Sequence, residues 1–326
     1  MKEKILKILT QANDYISGQA LCNELNVSRT AIWKYMNQLK EDGYEIEAVT
    51  NRGYRLKNRP DVLYANEIKS KLNTLSWARE IYYYDEVDST NNVAKKLAED
   101  GAPHGTLVIT EMQTAGKGRR GRNWSSPKGS GIWMTFILRP QIGPDRASML
   151  TLVSAMAVQK AIEKETGLKA VIKWPNDIVV NGKKVCGMLT EMSAELEWIN
   201  YVVVGIGINA NTKKFPEEIA DVATSLSIEL GRDITRSNLV AGFGAAFEGY
   251  YDRFIKNGDM SDLMDEYNKN LANLDNKVKI LDPKGEYTGI SKGINKEGEL
   301  LVTDEDGNER IVRSGEVSVR GIYGYV

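Results

Sequence analysis

The stretch QTAGKGRRGRNW, residues 113–124, decides how the central part of this 326-residue chain is interpreted. It follows a short apolar segment predicted as a strand, and residues 116–122 hold three glycines and four basic residues. Glycines allow the backbone to approach a ligand closely, and Lys and Arg neutralise phosphate or carboxylate groups. The stretch therefore predicts a loop that wraps a small anionic ligand. The alternative is a solvated basic loop that contacts nucleic acid; the glycine spacing and the adjacent Trp124 count against it.

The loop is not a Walker A phosphate-binding loop. That motif needs a glycine five residues before its Gly-Lys pair and a Ser or Thr after the pair. Glu111 and Gly118 occupy those two positions here. The anion-binding chemistry must therefore be of another type.

Three further segments place polar groups at the ends of predicted strands. KWPND, residues 173–177, joins a cation, an aromatic ring, a rigid turn, an amide and a carboxylate. KKVCG, residues 183–187, begins the second arm of the next hairpin, and Gly187 indicates a close backbone approach. GIGIN, residues 205–209, ends a buried strand with two small residues and an amide. A dinucleotide-binding interpretation of this last segment is rejected, because residues 211–216 do not open a helix.

The segment DSTN, residues 88–91, places two hydroxyls and an amide at a predicted helix start. Free N–H groups there suit polar or anionic ligand atoms, although a plain helix cap explains the segment equally well. Together, the polar segments supply cations, amides and glycines for binding a phosphate, and one carboxylate for proton transfer or metal binding. They supply no activated Ser, Cys or His nucleophile. The implied chemistry is nucleotide-dependent activation of another group.

Residues 1–59 have the pattern of a winged helix-turn-helix. Apolar residues recur at helical spacing in three segments, Ser28 is the predicted cap of the third helix, and two strand-like pieces follow around residues 50–53. Ten basic and seven acidic residues give this unit an excess of three positive charges, against a net charge of −1 for the chain. Polar side chains near the start of a helix can reach base edges in the major groove. A helical adaptor or dimerisation module remains the alternative.

The remaining chain predicts an α+β fold and a separate terminal unit. Several strands between residues 61 and 272 follow one another without an intervening helix, which favours a mixed sheet over a doubly wound one. Three turn signals after residue 273 separate short strands, as in a small β-barrel. The predicted domains are residues 1–60, 61–272 and 273–326.

Composition excludes several classes of protein. Hydrophobic residues make up 42% of the chain and charged residues 27%, as in ordinary soluble globular proteins. The longest apolar runs are too short for a membrane span, and the charged N-terminus does not resemble a signal peptide, so a cytoplasmic location is expected. Cys22, Cys186 and His104 are too few and too scattered for a disulfide framework or a zinc site.

The combination of these motifs resembles the biotin protein ligases of the bifunctional type that also repress biotin operons, over essentially the full length of the chain. The motifs are Ser89-Thr90-Asn91, Gln113 with residues 116–122 and Trp124, residues 173–177, Lys184 with Gly187, residues 205–209, and Val319-Arg320-Gly321. The resemblance implies a winged helix-turn-helix, a central mixed-sheet catalytic domain of the biotin/lipoate ligase type, and an SH3-like C-terminal barrel.

The resemblance also implies a reaction and its partners. The carboxylate of biotin attacks the α-phosphorus of ATP with Mg²⁺ present, giving biotinyl-5′-AMP and pyrophosphate, and a lysine of a biotin carboxyl carrier protein domain then attacks the mixed anhydride. The carrier belongs to acetyl-CoA carboxylase or another biotin-dependent carboxylase. The adenylate promotes a homodimer that binds the operator DNA of biotin genes.

The site residues that the resemblance implies fall into four sets. The catalytic set is Lys184, Asp177 and Arg119, and the biotin set is Ser89, Thr90, Asn91, Gln113, Gly116, Lys117, Arg119, Lys184 and Gly187. The adenylate set is Arg120, Arg122, Trp124, Lys173, Asn176, Asn209 and Arg320, and the DNA set is Ser28, Arg29, Thr30, Trp33, Lys34 and Arg52. No metal site made directly by side chains is predicted.

Two roles within these sets have a chemical rationale. Lys184 is expected to bridge the biotin carboxylate and the α-phosphate, where negative charge builds in the transition state. Asp177 is the carboxylate expected to deprotonate the incoming lysine, which must be neutral to attack. Lys117 departs from the family, which often has Arg at this position. The positive charge is kept, but the planar guanidinium with its paired N–H donors is absent.

Two other functions remain open from sequence. A lipoate-protein ligase shares the central fold and the adenylation chemistry, and lipoate turnover would select it. A non-catalytic, ligand-sensing DNA-binding regulator is the second, and pyrophosphate release would exclude it.

Overall fold

The computed structural model describes residues 1–12, 14–282, 285–314, 318–321 and 325–326. Its internal contacts divide the chain into two compact units, Met1–Leu72 and Asn73–Val326.

The first unit is a winged helix-turn-helix with one added helix. Its elements are α1 (Lys2–Gln11), α2 (Gly18–Leu25), α3 (Arg29–Glu41), β1 (Glu45–Val49), β2 (Gly53–Asn58) and α4 (Ala65–Lys71). The hydroxyl of Ser28 accepts a hydrogen bond from the Ala31 N–H at 3.2 Å and so caps α3, as predicted. Ile32, Met36 and Leu39 form the buried face of α3.

Helix α4 extends the first unit past residue 60, where the sequence predicts its boundary. It packs against α1 and carries Glu67, whose side chain is fully buried. The Glu67 carboxylate accepts hydrogen bonds from the Tyr44 hydroxyl at 2.6 Å and the Arg59 guanidinium at 2.8 Å, and pairs with Lys71 at 2.9 Å. Because a buried carboxylate needs such partners, this network fixes α4 to the winged helix.

The second unit contains a seven-stranded mixed sheet, as predicted. The strands are β3 (Ile81–Tyr84), β4 (Leu107–Thr110), β5 (Ile132–Leu138), β6 (Val171–Lys173), β7 (Asp177–Val180), β8 (Lys183–Ala194) and β9 (Ile199–Ile208). Their order is β3-β4-β5-β9-β8-β7-β6. The β3–β4 pair is parallel and the other neighbouring strands pair antiparallel. Asn181 and Gly182 both have positive φ, which fits the tight turn predicted between β7 and β8.

In the described part of the second unit, five α-helices accompany the sheet: α5 (Thr90–Glu99), α6 (Met149–Thr166), α7 (Leu226–Leu230), α8 (Arg236–Asn257) and α9 (Met264–Lys269). The predicted apolar helix from about residue 146 is α6, which packs against α8 and is buried along most of its length. It begins at Met149 because residues 144–146 form a 3₁₀ turn that starts with Pro144. Gly167 ends α6 in the left-handed conformation, as predicted.

The chain ends in a five-stranded antiparallel sheet. Its strands are β10 (Lys277–Leu281), β11 (Tyr287–Ile294), β12 (Leu300–Asp304), β13 (Glu309–Val312) and β14 (Ser318–Gly321), in the order β13-β12-β11-β10-β14. The predicted turns at residues 295–298 and 304–307 connect β11 to β12 and β12 to β13. The predicted turn at residues 282–285 includes 283 and 284, which lie outside the described residues. Among the helices of the described chain, none is long and apolar enough to cross a membrane.

Candidate active site

A cavity of about 330 Å³ lies in the second unit and collects the segments that the sequence analysis singled out. The start of α5, the loop of residues 117–127, and the site-facing parts of β7, β8 and β9 form its walls. The predicted residues that line it are Ser89, Thr90, Asn91, Gln113, Lys117, Arg119, Arg120, Arg122, Trp124, Lys173, Asn176, Asp177, Lys184, Gly187 and Asn209. The structure thus brings together groups from five separate sequence segments.

Two predicted residues stand apart from this lining. Gly116 is buried inside the loop, and a Cβ there would lie 2.4 Å from the Trp124 carbonyl oxygen, so its role is to let the loop fold on itself. The backbone of Arg320 lies on β14 opposite Lys279, and its side chain lies outside the described residues. The neighbouring Val319 does line the cavity.

One end of the cavity consists of neutral hydroxyl and amide groups. The Thr90 N–H donates to Gln113 Oε1 at 2.9 Å, and Gln113 Nε2 donates to Ser126 Oγ at 2.8 Å. Asn91 Nδ2 donates to the carboxylate of Glu191 at 2.7 Å. The Ser89 side chain makes no capping hydrogen bond to α5, so the plain helix-cap explanation of DSTN is wrong for this residue. This hydroxyl–amide end is almost completely buried, since Ser89, Thr90 and Asn91 are each less than 5% exposed.

The side chains that pack against Gly205 and Gly207 explain why GIGIN has glycine at these two positions. A Cβ at Gly205 would lie 2.2 Å from Asn91 Oδ1, and one at Gly207 would lie 2.5 Å from Trp124 Nε1. Gly187 makes room on the neighbouring strand, where a Cβ would lie 3.0 Å from the same indole ring. Small residues on β8 and β9 therefore seat Asn91 and Trp124 against the sheet.

The other end of the cavity is charged. Lys184 Nζ lies 2.6 Å from Asp177 Oδ1 and 5.1 Å from the centre of the Trp124 ring. The Tyr325 hydroxyl donates a hydrogen bond to Asp177 Oδ2, and Lys173 Nζ lies 3.2 Å above the Tyr325 ring. This charged end, Lys173, Asp177 and Lys184, concentrates two cations around one carboxylate. It is suited to binding and stabilising an anion.

Arg119 connects the glycine-rich loop to the charged end. Its Nη1 donates to Asn176 Oδ1 at 2.8 Å, while Asn176 Nδ2 donates to the Met188 carbonyl at 3.0 Å. Burial lowers the pKa of Arg119 and nearby Asp177 opposes that shift. The guanidinium stays charged, because arginine is not deprotonated in proteins. The Arg119–Asn176 contact therefore holds the loop over the cavity.

The donor set of the cavity does not form a metal site by itself. Among the described residues that line it, Asp177 is the single carboxylate, and it is already paired with Lys184. No cluster of three or more His, Cys, Asp or Glu side chains occurs in the part of the chain that the structure describes. Mg²⁺, which is commonly bound through substrate phosphates, fits this site only as a companion of a nucleotide.

Several residues of the site were missed by the sequence analysis. Thr135 contacts Thr90 at 2.8 Å and Asn91 at 2.7 Å from the middle of β5. Its signal was a lone hydroxyl in the apolar run IWMTFIL, residues 132–138. The buried Glu111–Arg236 pair, 2.7 Å apart, anchors the strand end before Gln113. Tyr325 and Glu191 carried no signal, because their partners are distant in sequence.

The DNA set of the first unit lies on its surface. Ser28, Arg29, Thr30, Trp33, Lys34 and Arg52 are all exposed, and Trp33 is 61% exposed at the outer face of α3. Arg29 donates to Gln19 Oε1 at 2.8 Å, and Arg52 stacks 4.2 Å from the Tyr15 ring while pairing with Asp14. The Ser28 hydroxyl is used as the α3 cap. These residues stay predicted DNA contacts, with Ser28 supporting the helix start.

Comparison with known proteins agrees with this arrangement of domains. Three family models match: the HTH domain over residues 2–55, the biotin/lipoate A/B protein ligase family over 83–209, and the biotin protein ligase C-terminal domain over 274–320. Bifunctional ligase/repressor BirA of Bacillus subtilis is 39% identical over 316 residues, which cover 95% of this chain and 96% of that protein. The chain belongs to the family of bifunctional biotin ligase/repressors.

Other relatives of this ligase/repressor support the same family. Bifunctional ligase/repressor BirA of Escherichia coli is 30% identical over 97% of this chain and 96% of that protein. The solved structure of biotin protein ligase from Aquifex aeolicus in complex with biotin and ATP has a TM-score of 0.65 and 32% identity, and covers 74% of this chain and 99% of that one. The predicted fold class, with a helix-turn-helix, a mixed-sheet ligase domain and a C-terminal domain, is confirmed.

Proposed function

We propose that the chain is an ATP-dependent biotin–protein ligase that forms biotinyl-5′-AMP, transfers biotin to a carrier-domain lysine, and represses transcription as a dimer on operator DNA. The observation that carries the enzymatic part is the single cavity in which a buried hydroxyl–amide end faces a charged end. Such a cavity binds a molecule with a neutral polar head and an acidic tail, and biotin has both.

The first step joins the biotin carboxylate to the α-phosphorus of ATP and releases pyrophosphate. With the ring of biotin at the hydroxyl–amide end, its carboxylate is directed toward Lys184. Lys184 neutralises the negative charge shared by the carboxylate and the α-phosphate as the new P–O bond forms, and Lys173 adds a second cation nearby. Trp124, seated on Gly187 and Gly207, provides a flat surface for the adenylate.

The second step transfers biotin to the carrier lysine. The lysine nitrogen attacks the biotinyl carbonyl, the bond to the phosphate oxygen breaks, and AMP leaves. Asp177 takes the proton that the attacking amine loses, because it is the carboxylate in the lining and its ion pair with Lys184 keeps it beside the reacting atoms. Asn176 acts by positioning Arg119, since both ends of its amide are bonded to protein groups.

Mg²⁺ bound to the phosphates of ATP would neutralise part of their negative charge. Further parts of the proposal are a cytoplasmic location, a homodimer promoted by biotinyl-5′-AMP, and an operator with two half-sites that matches its two-fold symmetry. The exposed polar face at the start of α3 supports the DNA contact.

The test of the enzymatic proposal is pyrophosphate release and transfer of label by the purified chain with ATP, Mg²⁺ and a biotin-carrier domain, comparing biotin with lipoate. We expect a pyrophosphate burst with biotin and one labelled carrier lysine. Turnover of lipoate in place of biotin selects the lipoate ligase, and the absence of turnover with either acid leaves only a ligand-sensing regulator.

The test of the repressor proposal is salt-dependent operator binding by Arg29→Ala, measured with biotinyl-5′-AMP present. We expect weaker operator binding with normal ligation, because this charge lies on α3, far along the sequence from the cavity residues. Lys7→Ala is the matched control, since it removes an exposed charge from α1 instead. Equal operator affinity for Arg29→Ala and the wild type contradicts the assigned groove face.

A further inference from the structure

The register of the seven-stranded sheet places two opposite charges side by side at the charged end of the cavity. Lys173 on β6 is directly opposite Asp177 on β7, and Asp177 is directly opposite Gly187 on β8. Side chains of directly opposite residues lie on the same face of an antiparallel pair of strands, within reach of each other. A direct ion pair between Lys173 and Asp177 is therefore the arrangement that the register favours.

Tyr325 contacts both of these charged groups. Its hydroxyl donates a hydrogen bond to Asp177 Oδ2, and the centre of its ring lies 3.2 Å from Lys173 Nζ. The other carboxylate oxygen, Asp177 Oδ1, lies 2.6 Å from Lys184 Nζ. Lys173 is 5% exposed, so its ammonium group needs a favourable partner, and the face of an aromatic ring is one. Tyr325 thus holds the cation with its ring and the carboxylate with its hydroxyl.

Two contacts of the five-stranded sheet support the position of Tyr325. A Cβ at Gly321, on β14, would overlap the carbonyl carbon of Val326, so residue 326 packs directly on the backbone of β14. Trp174, in the turn between β6 and β7, donates from its Nε1 to the Gly298 carbonyl at 3.1 Å. Tyr325 is therefore presented to the charged end by a sheet that is itself bonded to the β6–β7 turn.

We infer that Tyr325 is a positioning residue that keeps Lys173 and Asp177 from pairing with each other. Lys173 then stays available for the phosphates of ATP, and Asp177 stays beside Lys184, where the carrier lysine loses its proton. This inference rests on the proposed function and adds which residue keeps the two groups in their separate roles. The ring acts through Lys173 and the hydroxyl acts through Asp177, so the two parts of the side chain can be tested separately.

The experiment compares Tyr325→Phe, which keeps the ring and loses the hydroxyl, with Tyr325→Leu, which keeps apolar bulk but has no aromatic face. Steady-state assays give the KM for ATP and the KM for biotin. Calorimetry with biotin present gives the dissociation constant of an unreactive ATP analogue with a methylene bridge between the α- and β-phosphorus. A single-turnover assay gives the rate of transfer from preformed, enzyme-bound biotinyl-5′-AMP to the carrier domain.

Tyr287→Leu is the matched control. The ring of Tyr287, on β11, also faces a cation, since Arg310 Cζ lies 4.8 Å from its centre, but Tyr287 does not line the cavity. A second background, Lys173→Met, removes the residue through which the ring is inferred to act. If the ring acts through Lys173, adding Tyr325→Leu to Lys173→Met leaves the KM for ATP where Lys173→Met alone puts it.

In Tyr325→Leu we expect Lys173 to pair with Asp177, so the KM for ATP and the dissociation constant of the analogue rise about tenfold. In Tyr325→Phe both nucleotide constants stay within about twofold of the wild type, because the ring still faces Lys173, but transfer slows about three- to tenfold. The KM for biotin stays within about twofold of the wild type in both variants, and Tyr287→Leu changes none of these values. The transfer rate of Tyr325→Phe keeps the test decisive if Tyr325→Leu does not fold.

Failure of the inference can be told apart from failure of the proposed function. If the wild type forms biotinyl-5′-AMP but Tyr325→Leu and Tyr325→Phe have equal nucleotide constants, or Tyr325→Leu raises the KM for biotin and the KM for ATP alike, Tyr325 only fills space and the proposed function stands. Normal transfer in Tyr325→Phe overturns the role of the hydroxyl. If the wild type forms no biotinyl-5′-AMP, the proposed function is wrong, and the positioning role of Tyr325 is wrong with it.

Discussion

The two ends of the cavity differ in burial and in where their charged groups lie. The hydroxyl–amide end is buried and neutral toward the ligand, and its charge, on Glu191, lies behind Asn91. The charged end is more open, with Lys184 and Asp177 side chains 21% and 13% exposed, and it keeps its charges in the cavity wall. Buried, fixed hydrogen-bonding groups discriminate between neutral ligand groups. Cations instead stabilise a transition state in which negative charge develops.

This difference predicts that substitutions at the two ends change different kinetic parameters. A lost hydrogen bond at the hydroxyl–amide end removes interactions present in both the bound and the transition state, so KM for biotin rises. A lost cation at the charged end removes an interaction that strengthens as charge develops, so kcat falls.

The largest effect is expected for Lys184→Ala. Removing the cation beside the reacting carboxylate reduces the rate of the pyrophosphate burst about 100- to 1,000-fold, as for other groups that stabilise transition-state charge. Rapid-quench measurement of pyrophosphate gives the rate. Lys183→Ala is the matched control, because its Nζ donates to the Ala220 carbonyl and does not line the cavity. A normal burst in Lys184→Ala removes the assigned role.

Arg119→Gly is expected to loosen the loop that closes the charged end. Loss of the charge-assisted hydrogen bond to Asn176 speeds release of biotinyl-5′-AMP about tenfold or more. The free adenylate then labels lysines of a bystander protein, which mass spectrometry detects. Lys128→Ala, at an exposed loop position outside the cavity lining, is the control. Labelling that stays confined to the carrier domain counts against this role of Arg119.

Two alanine substitutions on β9 separate the contributions of the two ends. Gly205→Ala places a Cβ against Asn91, and Gly207→Ala places one against the indole of Trp124. Because packed neighbours must move, we expect about a tenfold rise in KM for biotin in the first variant and for ATP in the second. Each variant is the control for the other in steady-state assays. An equal rise of the KM for biotin and the KM for ATP in both variants would mean that the two ends do not bind their ligands independently.

The smallest effect concerns pH. Its hydrogen bonds lower the pKa of Glu191 below the ordinary 4.5, so its contribution to biotin binding is complete above that value and is lost only as the pH falls through the lowered pKa. Between about pH 5.5 and about pH 8, the ratio of biotin affinities of wild type and Glu191→Gln should therefore stay constant within about twofold. Calorimetry across this range measures it. A ratio that changes steadily with pH indicates that Glu191 titrates there.

The sequence predicted those parts of the molecule that depend on local patterns. Apolar spacing and the Ser28 cap located α3, and the Asn181-Gly182 pair located a hairpin, because each depends on neighbours a few residues away. The glycine-rich loop and KWPND identified the cavity because ligand binding requires unusual residue types in short stretches. Gly187 was recognised as a position of close approach, but the residue that packs on it, Trp124, was not predicted.

The parts that escaped prediction depend on pairings between distant segments. Glu191 meets Asn91 across 100 positions of sequence, and Tyr325 meets Asp177 across 148, so neither contact leaves a local pattern. Helix α4 left no local pattern for the same reason, because Glu67 binds Tyr44 and Arg59 only after α4 folds back. The lone Thr135 in an apolar strand was a signal, but its partners Thr90 and Asn91 lie 45 and 44 positions earlier in the sequence and could not be identified from local pattern.

The most direct test of the separation between the two ends measures biotin affinity and the pyrophosphate burst in Thr90→Val and Lys184→Ala. We expect Thr90→Val to weaken biotin binding about tenfold or more but to keep the burst at saturating biotin within about threefold of the wild type. We expect Lys184→Ala to lose the burst by at least about 100-fold while biotin binding weakens far less. A burst at saturating biotin that falls equally in the two variants would show that the two ends do not have separate roles.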